Sequence, residues 1–229
     1  MELITSVLAW FTDPANWTGS NGVPTRVWEH TVLSAIAMAI ALAIGLPSGL
    51  AIGHTGRWAR VATAVAGLGR AVPSYALLIL SVGYLGLGFA SALPALVLLA
   101  VPPILVNSST AIRDVDRDMV EAGRAMGMSE MAVLRDVEIP PALPVIAAGV
   151  RVATLQVIAT ATLAALVAGG GLGRYIVDGF GLQEYERMVA GALLVAGLAL
   201  LTQRAFTIVE RRRGEPRNAS LTSAVGWPQ

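Results

Sequence analysis

The sequence predicts an all-α polytopic membrane protein with about five transmembrane helices and one charged loop set between the third and the fourth. Three observations carry that prediction. Of 229 residues, 55% are hydrophobic and only 14% charged, where a water-soluble domain carries about 25% charged residues. Mean hydropathy is +0.67. The apolar residues fall into runs that reach the roughly 20 residues a bilayer crossing needs, and arginines gather in the polar segments between them. Little chain is left for a separate soluble domain. The 16 basic residues are all arginine, a bias of composition before it is a sign of function. Cysteine is absent, which excludes disulfides, thiolate catalysis and Cys-based metal sites. His30 and His54 lie near opposite ends of the first apolar run, with no H-x-x-x-H or carboxylate pattern around them, and are read as interfacial histidines rather than metal or proton sites.

Taken in order, residues 1–27 form an extracytoplasmic or interfacial segment. MELITSVLAWFTDP has no basic start and is broken by Asp13 and Pro14, so it does not read as a cleavable signal peptide. It reads as a short helix at the interface, with Trp10, Phe11 and Trp17 at headgroup depth. The first span is 31–53, with Pro47 able to kink it. HTGRWAR is a polar connection. The stretch 61–89 exceeds one crossing and is interrupted by Arg70 and Pro73, which predicts one bent span with an amphipathic lead-in. A third span at 91–111 is again proline-broken, a fourth covers 141–168 and a fifth 188–209. The membrane domain is thus 28–210. The residues from 211 to 229 read as a disordered tail, since GEPRNASLTSAVGWPQ is polar and rich in Gly, Pro and Ser.

Five crossings place the termini on opposite sides, and arginines decide which is which. Arg57 and Arg60, then Arg113, Arg117, Arg124 and Arg135, then Arg211, Arg212 and Arg213 all fall on one face. Arg26, Arg174 and Arg187 fall on the other, each with acidic neighbours. The expected topology has the N-terminus outside and the C-terminus inside, in a bacterial cytoplasmic membrane.

The loop at 113–140 then faces the cytoplasm. Asp114, Asp116, Asp118 and Glu121 alternate with Arg113, Arg117 and Arg124, so opposite charges can pair at helical spacing. Met119, Gly123 and Met126 recur on one side of that helix, an adaptable and shallow face. Ser129 offers an N-cap and Glu130 a first-turn acid for a second short helix that Pro140 and Pro141 stop. A turn at Gly127 joins the two. Composition alone allows either a polar connector or a helix that docks into a groove on another protein.

A resemblance separates those readings. Glu121, Ala122 and Gly123, then Gly127, then Val137, Ile139 and Pro140 reproduce the spacing of the E-A-A, three residues, G, nine residues, I-x-L-P loop in permease subunits of bacterial ATP-binding-cassette importers. The departures are Gly123 for alanine, Val137 for isoleucine and Ile139 for leucine; Gly123 costs up to about 1 kcal/mol of helix propensity. RVATLQVIATATLAALVAGGGLGRYI also resembles permeases of the glycine betaine, choline and proline osmoprotectant importers. The resemblance spans about 28–210.

It implies a type I importer fold in which the loop docks on a cytoplasmic ATPase. Glu121, Ala122, Gly123 and Gly127 would make the coupling contact, and Val137, Ile139 and Pro140 would set how the loop re-enters the membrane. It also implies a second permease copy or a homologous permease, an extracytoplasmic substrate-binding protein, and ATP with Mg on the partner ATPase. No cofactor, metal or nucleic acid is expected on this chain, which is not expected to be an enzyme. With no lysine at all, a Walker A lysine is impossible here.

The GGGLG run at 169–173 reads as a flexible turn near the outer gate, with Tyr175, Phe180 and Tyr185 as interface anchors. Candidate path-lining residues are Arg151, Gln156, Thr160 and Tyr75. Arg151 is costly inside a membrane and either lines the path or reaches back to the cytoplasmic side; its place soon after Pro141 favours the latter. Gln156, Thr154, Thr160 and Thr162 either line a polar route or join helices by hydrogen bonds, the second being preferred. Tyr75 and Tyr84 are too far apart for one aromatic cage around a quaternary ammonium, so selectivity is assigned to the binding protein. The rival reading is a secondary transporter or channel that works without an ATPase. It calls for a carboxylate in a span or a repeated half, neither of which is present.

Overall fold

The computed structural model describes residues 2–60, 62, 64, 67 and 72–213. These form helices α1 (Glu2–Thr12), α2 (Val23–Thr55), α3 (Ser74–Leu85), α4 (Phe89–Arg113), α5 (Arg117–Ala125), α6 (Ile139–Thr160), α7 (Gly173–Leu182) and α8 (Tyr185–Arg213). Short 3₁₀ turns cover Pro14–Trp17 and Ala161–Val167, and one helical turn at Glu130–Ala132 leads through a π turn, Val133–Glu138, into α6. No strand occurs among the described residues. Arg70 and residues 214–229 lie outside them; residues 211–213, expected in a disordered tail, instead continue the last helix to Arg213.

Four helical segments are long and apolar enough to cross a membrane: α2, α4, Glu130–Val167 and α8. The second expected span appears as the 12-residue α3, about 18 Å long and short of a full crossing; its lead-in falls largely outside the described residues. Other expectations change in length rather than kind. The first span begins at Val23, ahead of residue 31, and runs unbroken past Pro47. The third is not proline-broken: α4 is continuous with Pro94, Pro102 and Pro103 inside it. Each proline removes one backbone bond, but α4 is packed between α2 and α6, and lateral packing at membrane depth keeps such helices whole. Nor do Pro140 and Pro141 stop the second loop helix. They occupy the first turn of α6, directly after the π turn, and the helical segment runs on through them.

The helices meet through small residues. Ala37, Ala41, Ala92, Ala95, Ala100, Ala153 and Ala161 are buried at the α2–α4–α6 junction, around Leu33, Leu96 and Ile104. Gly45, Gly49 and Gly53 recur every fourth residue along α2 and face α4. A Cβ at Gly49 would lie 2.7 Å from the Leu105 carbonyl oxygen, and one at Gly53 2.7 Å from Ile112 Cβ. Such stripes let backbones approach where lipid supplies no hydrophobic force between helices.

At one end of the bundle, α1 packs on α8. Trp10 stands edge-on to Tyr175, 5.3 Å between centroids, within a cluster of Val23, Leu172, Tyr175 and Val195.

Candidate functional site

The loop between α4 and α6 is built from its caps inward. Asp116 starts α5 by accepting from the Asp118 backbone N–H at 2.9 Å. The helix ends at Gly127, whose φ of +81° suits a residue without a side chain. There the Met128 N–H reaches the Gly123 carbonyl at 3.2 Å and the Gly127 N–H reaches that of Arg124 at 2.9 Å. Ser129 caps the next turn, accepting from the Ala132 N–H at 3.3 Å. The predicted pair of helices with a turn at Gly127 is therefore present, its second member continuing into the span.

Across the turn, Arg124 grips Glu130 with both Nε (3.0 Å) and Nη2 (2.9 Å). This hydrogen bonding is the main reason the Arg124 guanidinium is held above its usual range. Arg124 thus pairs with Glu130 beyond the turn rather than with the acids of its own helix. Val120 and Val133 anchor the loop on Ala111, Ile112, Ala142 and Ile146 at the base of α4 and α6.

The site residues expected from sequence divide between two sides. Glu121, Ala122 and Gly127 are exposed, as are Met119, Met126 and Met131, the last two by 77% and 71%. Gly123 is turned inward: a Cβ there would meet Met128 Sδ at 3.3 Å and Val137 Cγ2 at 3.4 Å. The adaptable face is made by Met119, Ala122 and Met126, and Gly123 lets the loop close on itself. Val137 and Ile139 pack against the base cluster, while Pro140 is exposed.

Sequence reasoning missed a cluster beneath this loop. His54, in the last turn of α2, places Nδ1 2.6 Å from Glu138 Oε2 and Nε2 3.1 Å from Glu130 Oε2. The Glu138 side chain is only 3% exposed. The lone acid in VEIPPALP, just before a long apolar run, was the signal that could have drawn attention to it.

The other end of α2 is also clasped. Glu29 Oε2 accepts from the Gly171 N–H at 2.8 Å and from Arg26 Nη1 at 2.7 Å. The glycine run is therefore tied to the start of α2 rather than hanging as a free turn. Tyr175 is not a surface anchor: it is buried, and its hydroxyl donates to the Asn21 carbonyl at 2.6 Å. Phe180 and Tyr185 are exposed. His30 is fully buried with Nε2 2.9 Å from the Ile158 carbonyl oxygen, inside the bundle rather than at its interface.

Of the path candidates, Arg151 reaches Glu210 near the end of α8, with Nη1 3.0 Å from Oε2. Thr154 and Thr162 bond to carbonyls of their own helical segment, Val150 and Ala159, so these hydroxyls do not join helices. Thr154 lines a cavity of about 280 Å³ between α2, α6 and α8, with Ser34, Met38, Thr202 and Phe206. Gln156 and Thr160 are half-buried on α6. Tyr75 and Tyr84 are 54% and 90% exposed, and no aromatic cage forms among the described residues.

Comparison with known proteins agrees with this arrangement. Residues 41–215 match the family model described as binding-protein-dependent transport system inner membrane component. The chain is 35% identical over 184 residues to the glycine betaine/carnitine/choline transport system permease protein OpuCB of Bacillus subtilis (strain 168), covering 80% of this chain and 85% of that protein. It is also 35% identical over 211 residues to the carnitine transport permease protein OpuCD of Listeria monocytogenes, covering 91% and 95%. In fold it is similar to a chain of the inward-facing MetNI methionine ABC transporter, with a TM-score of 0.75, 23% identity, and coverage of 88% of this chain and 98% of that one.

Proposed function

Because this chain belongs to the binding-protein-dependent transport system inner membrane components, we propose that it is the permease of an ATP-driven importer for compatible solutes such as glycine betaine, choline, carnitine or proline. The solute class rests on relatives named for glycine betaine, carnitine and choline transport. The chain forms the translocation path together with a second permease, a copy or a homologue, and hydrolysis takes place on a separate cytoplasmic ATPase that holds ATP and Mg. A binding protein outside the cell delivers the solute. The N-terminus lies outside and the C-terminus inside, a placement supported by the arginine-rich loop and the arginines that end α8.

The observation that carries the proposal is the outward face of the 113–140 loop. Met119, Ala122 and Met126 stand exposed on a helix braced from behind by Gly123, Val120 and the Arg124–Glu130 clamp. A membrane connector has no use for an exposed methionine face on a rigid support; a groove on a soluble partner does. Glu121 anchors that contact, Ala122 and Gly127 allow close seating, and Val137, Ile139 and Pro140 fix the path back into the membrane.

The test is uptake of labelled betaine, choline, carnitine and proline into vesicles containing the permease, ATPase and binding protein. One solute should accumulate only with ATP. Glu121→Ala should leave the amount of folded permease unchanged and lower ATP-driven uptake by at least about tenfold. Uptake by the permease alone, or unchanged uptake in that variant, overturns the assignment.

A further inference from the structure

The coupling face accounts for the outer side of the loop. It does not account for the inner side, where four charged or titratable side chains from different segments stand in series: Arg124 on α5, Glu130 at the start of the following turn, His54 at the end of α2, and Glu138 at the end of the π turn. Arg124 holds Glu130 through both carboxylate oxygens, Glu130 Oε2 is 3.1 Å from His54 Nε2, and His54 Nδ1 is 2.6 Å from Glu138 Oε2. His54 and Glu138 are 84 residues apart in sequence.

We propose that His54 is a positioning residue that locks the coupling loop to the end of the first span, so that a push on α5 is passed to α2 rather than absorbed by bending of the loop. The proposal rests on the coupling role given above. It stands on three physical features. Both ring nitrogens stand within hydrogen-bond reach of carboxylates, so one ring bridges two acids from different turns. It does so from the last turn of a long helix, where the free backbone carbonyls favour a donor-bearing side chain. Glu138 is buried, so without the imidazole it is left as an unpaired carboxylate.

The π turn explains how Glu138 reaches this place. Its wider register, with the Ile139 N–H bonded to the Leu134 carbonyl, changes which residue faces α2, a distortion often found where side-chain direction matters. In a regular helix the same residue would point elsewhere. The loop is thereby joined to the bundle in two ways, by the apolar contacts of Val120 and Val133 and by this chain of charge. Only the second involves a side chain of α2 beyond packing.

The test uses the complete transporter reconstituted in vesicles, with ATP hydrolysis and solute uptake measured on the same preparation. His54→Gln and Glu138→Gln should each assemble with the ATPase and keep ATP hydrolysis within about twofold, while solute moved per ATP falls about tenfold and the KM for solute is unchanged. The double variant should lose no more than either single one, because both break the same link. In transporters that assemble, a merely structural role would lower hydrolysis and uptake together, and that outcome overturns the proposal. So does an unchanged ratio, or losses that multiply in the double variant. If His54→Gln does not assemble, His54→Arg decides: a permanent cation with several donors should restore the ratio to within about threefold, and an assembled His54→Arg transporter that remains uncoupled overturns the proposal. Failure of the wild-type vesicles to take up solute with ATP refutes the importer assignment; coupled wild type with an unaffected His54→Gln refutes only the role of His54.

Discussion

Helices α4 and α8 are alike in length and hydropathy and opposite in surroundings. In the most apolar window of α4, 44% of residues are buried inside the chain; in that of α8 the share is 6%. Side-chain size accounts for part of the difference. The buried positions of α4 include Ala92, Ala95, Ala100, Ser108 and Ala111 around the larger Leu96, Ile104 and Ile112, whereas α8 turns Leu193, Leu200, Leu201 and Ile208 outward. Lipid tails are as apolar as leucine, so hydropathy finds both spans and cannot rank them. Small residues mark the helix that other helices touch.

That contrast can be broken or sharpened in three ways, which differ in expected size. Gly49→Leu on α2 attacks the contact that makes α4 central. Its Cβ would stand 2.7 Å from the Leu105 carbonyl oxygen, which is backbone and cannot swing away. We expect a loss of about 3 kcal/mol, read as a lower midpoint of thermal unfolding in detergent; a midpoint within a degree of wild type would mean that the α2–α4 approach is loose. Arg151→Ala removes the tie between α6 and α8, a pair one-third exposed on each side. The expected cost is below about 1 kcal/mol and shrinks as salt is raised; a larger, salt-independent loss would place α8 deeper in the fold than its exposure indicates. Leu201→Ala, on a residue 66% exposed, should change the stability of the isolated chain by less than about 0.5 kcal/mol. A marked loss seen only in the assembled transporter would identify that face of α8 as a subunit contact.

The legible part of the fold follows from the same physics. Span positions, the helical loop, the Gly127 turn and the Ser129 cap were readable because each depends on local rules of length, φ and capping. Helix continuity was not. Pro94, Pro102 and Pro103 read as breaks and Pro140 and Pro141 as a stop by local preference, and all lie within continuous helical segments, the first three in a helix packed between two others. The site was legible on its outer side, where motif spacing named Glu121, Ala122 and Gly127. Its inner side was hidden because His54 and Glu138 are brought together by tertiary structure alone, and because Gly123 gave no sign in the sequence of which way it faced. Tyr175 misled for a similar reason: an aromatic after a span suggests the membrane interface, yet its hydroxyl finds a carbonyl from a segment far off in sequence.

Helix α2 has 33 residues, which at 1.5 Å each makes it about 50 Å long, well beyond the roughly 30 Å of hydrocarbon it must cross. Its two polar grips, Glu29 on the glycine turn and His54 on the loop, lie 25 positions apart, or about 38 Å along the axis. A stiff rod held at both ends works as a lever arm: tipping it by about 10° displaces one grip sideways by about 7 Å relative to the other. A leverage of that size is available to this chain without any helix unwinding.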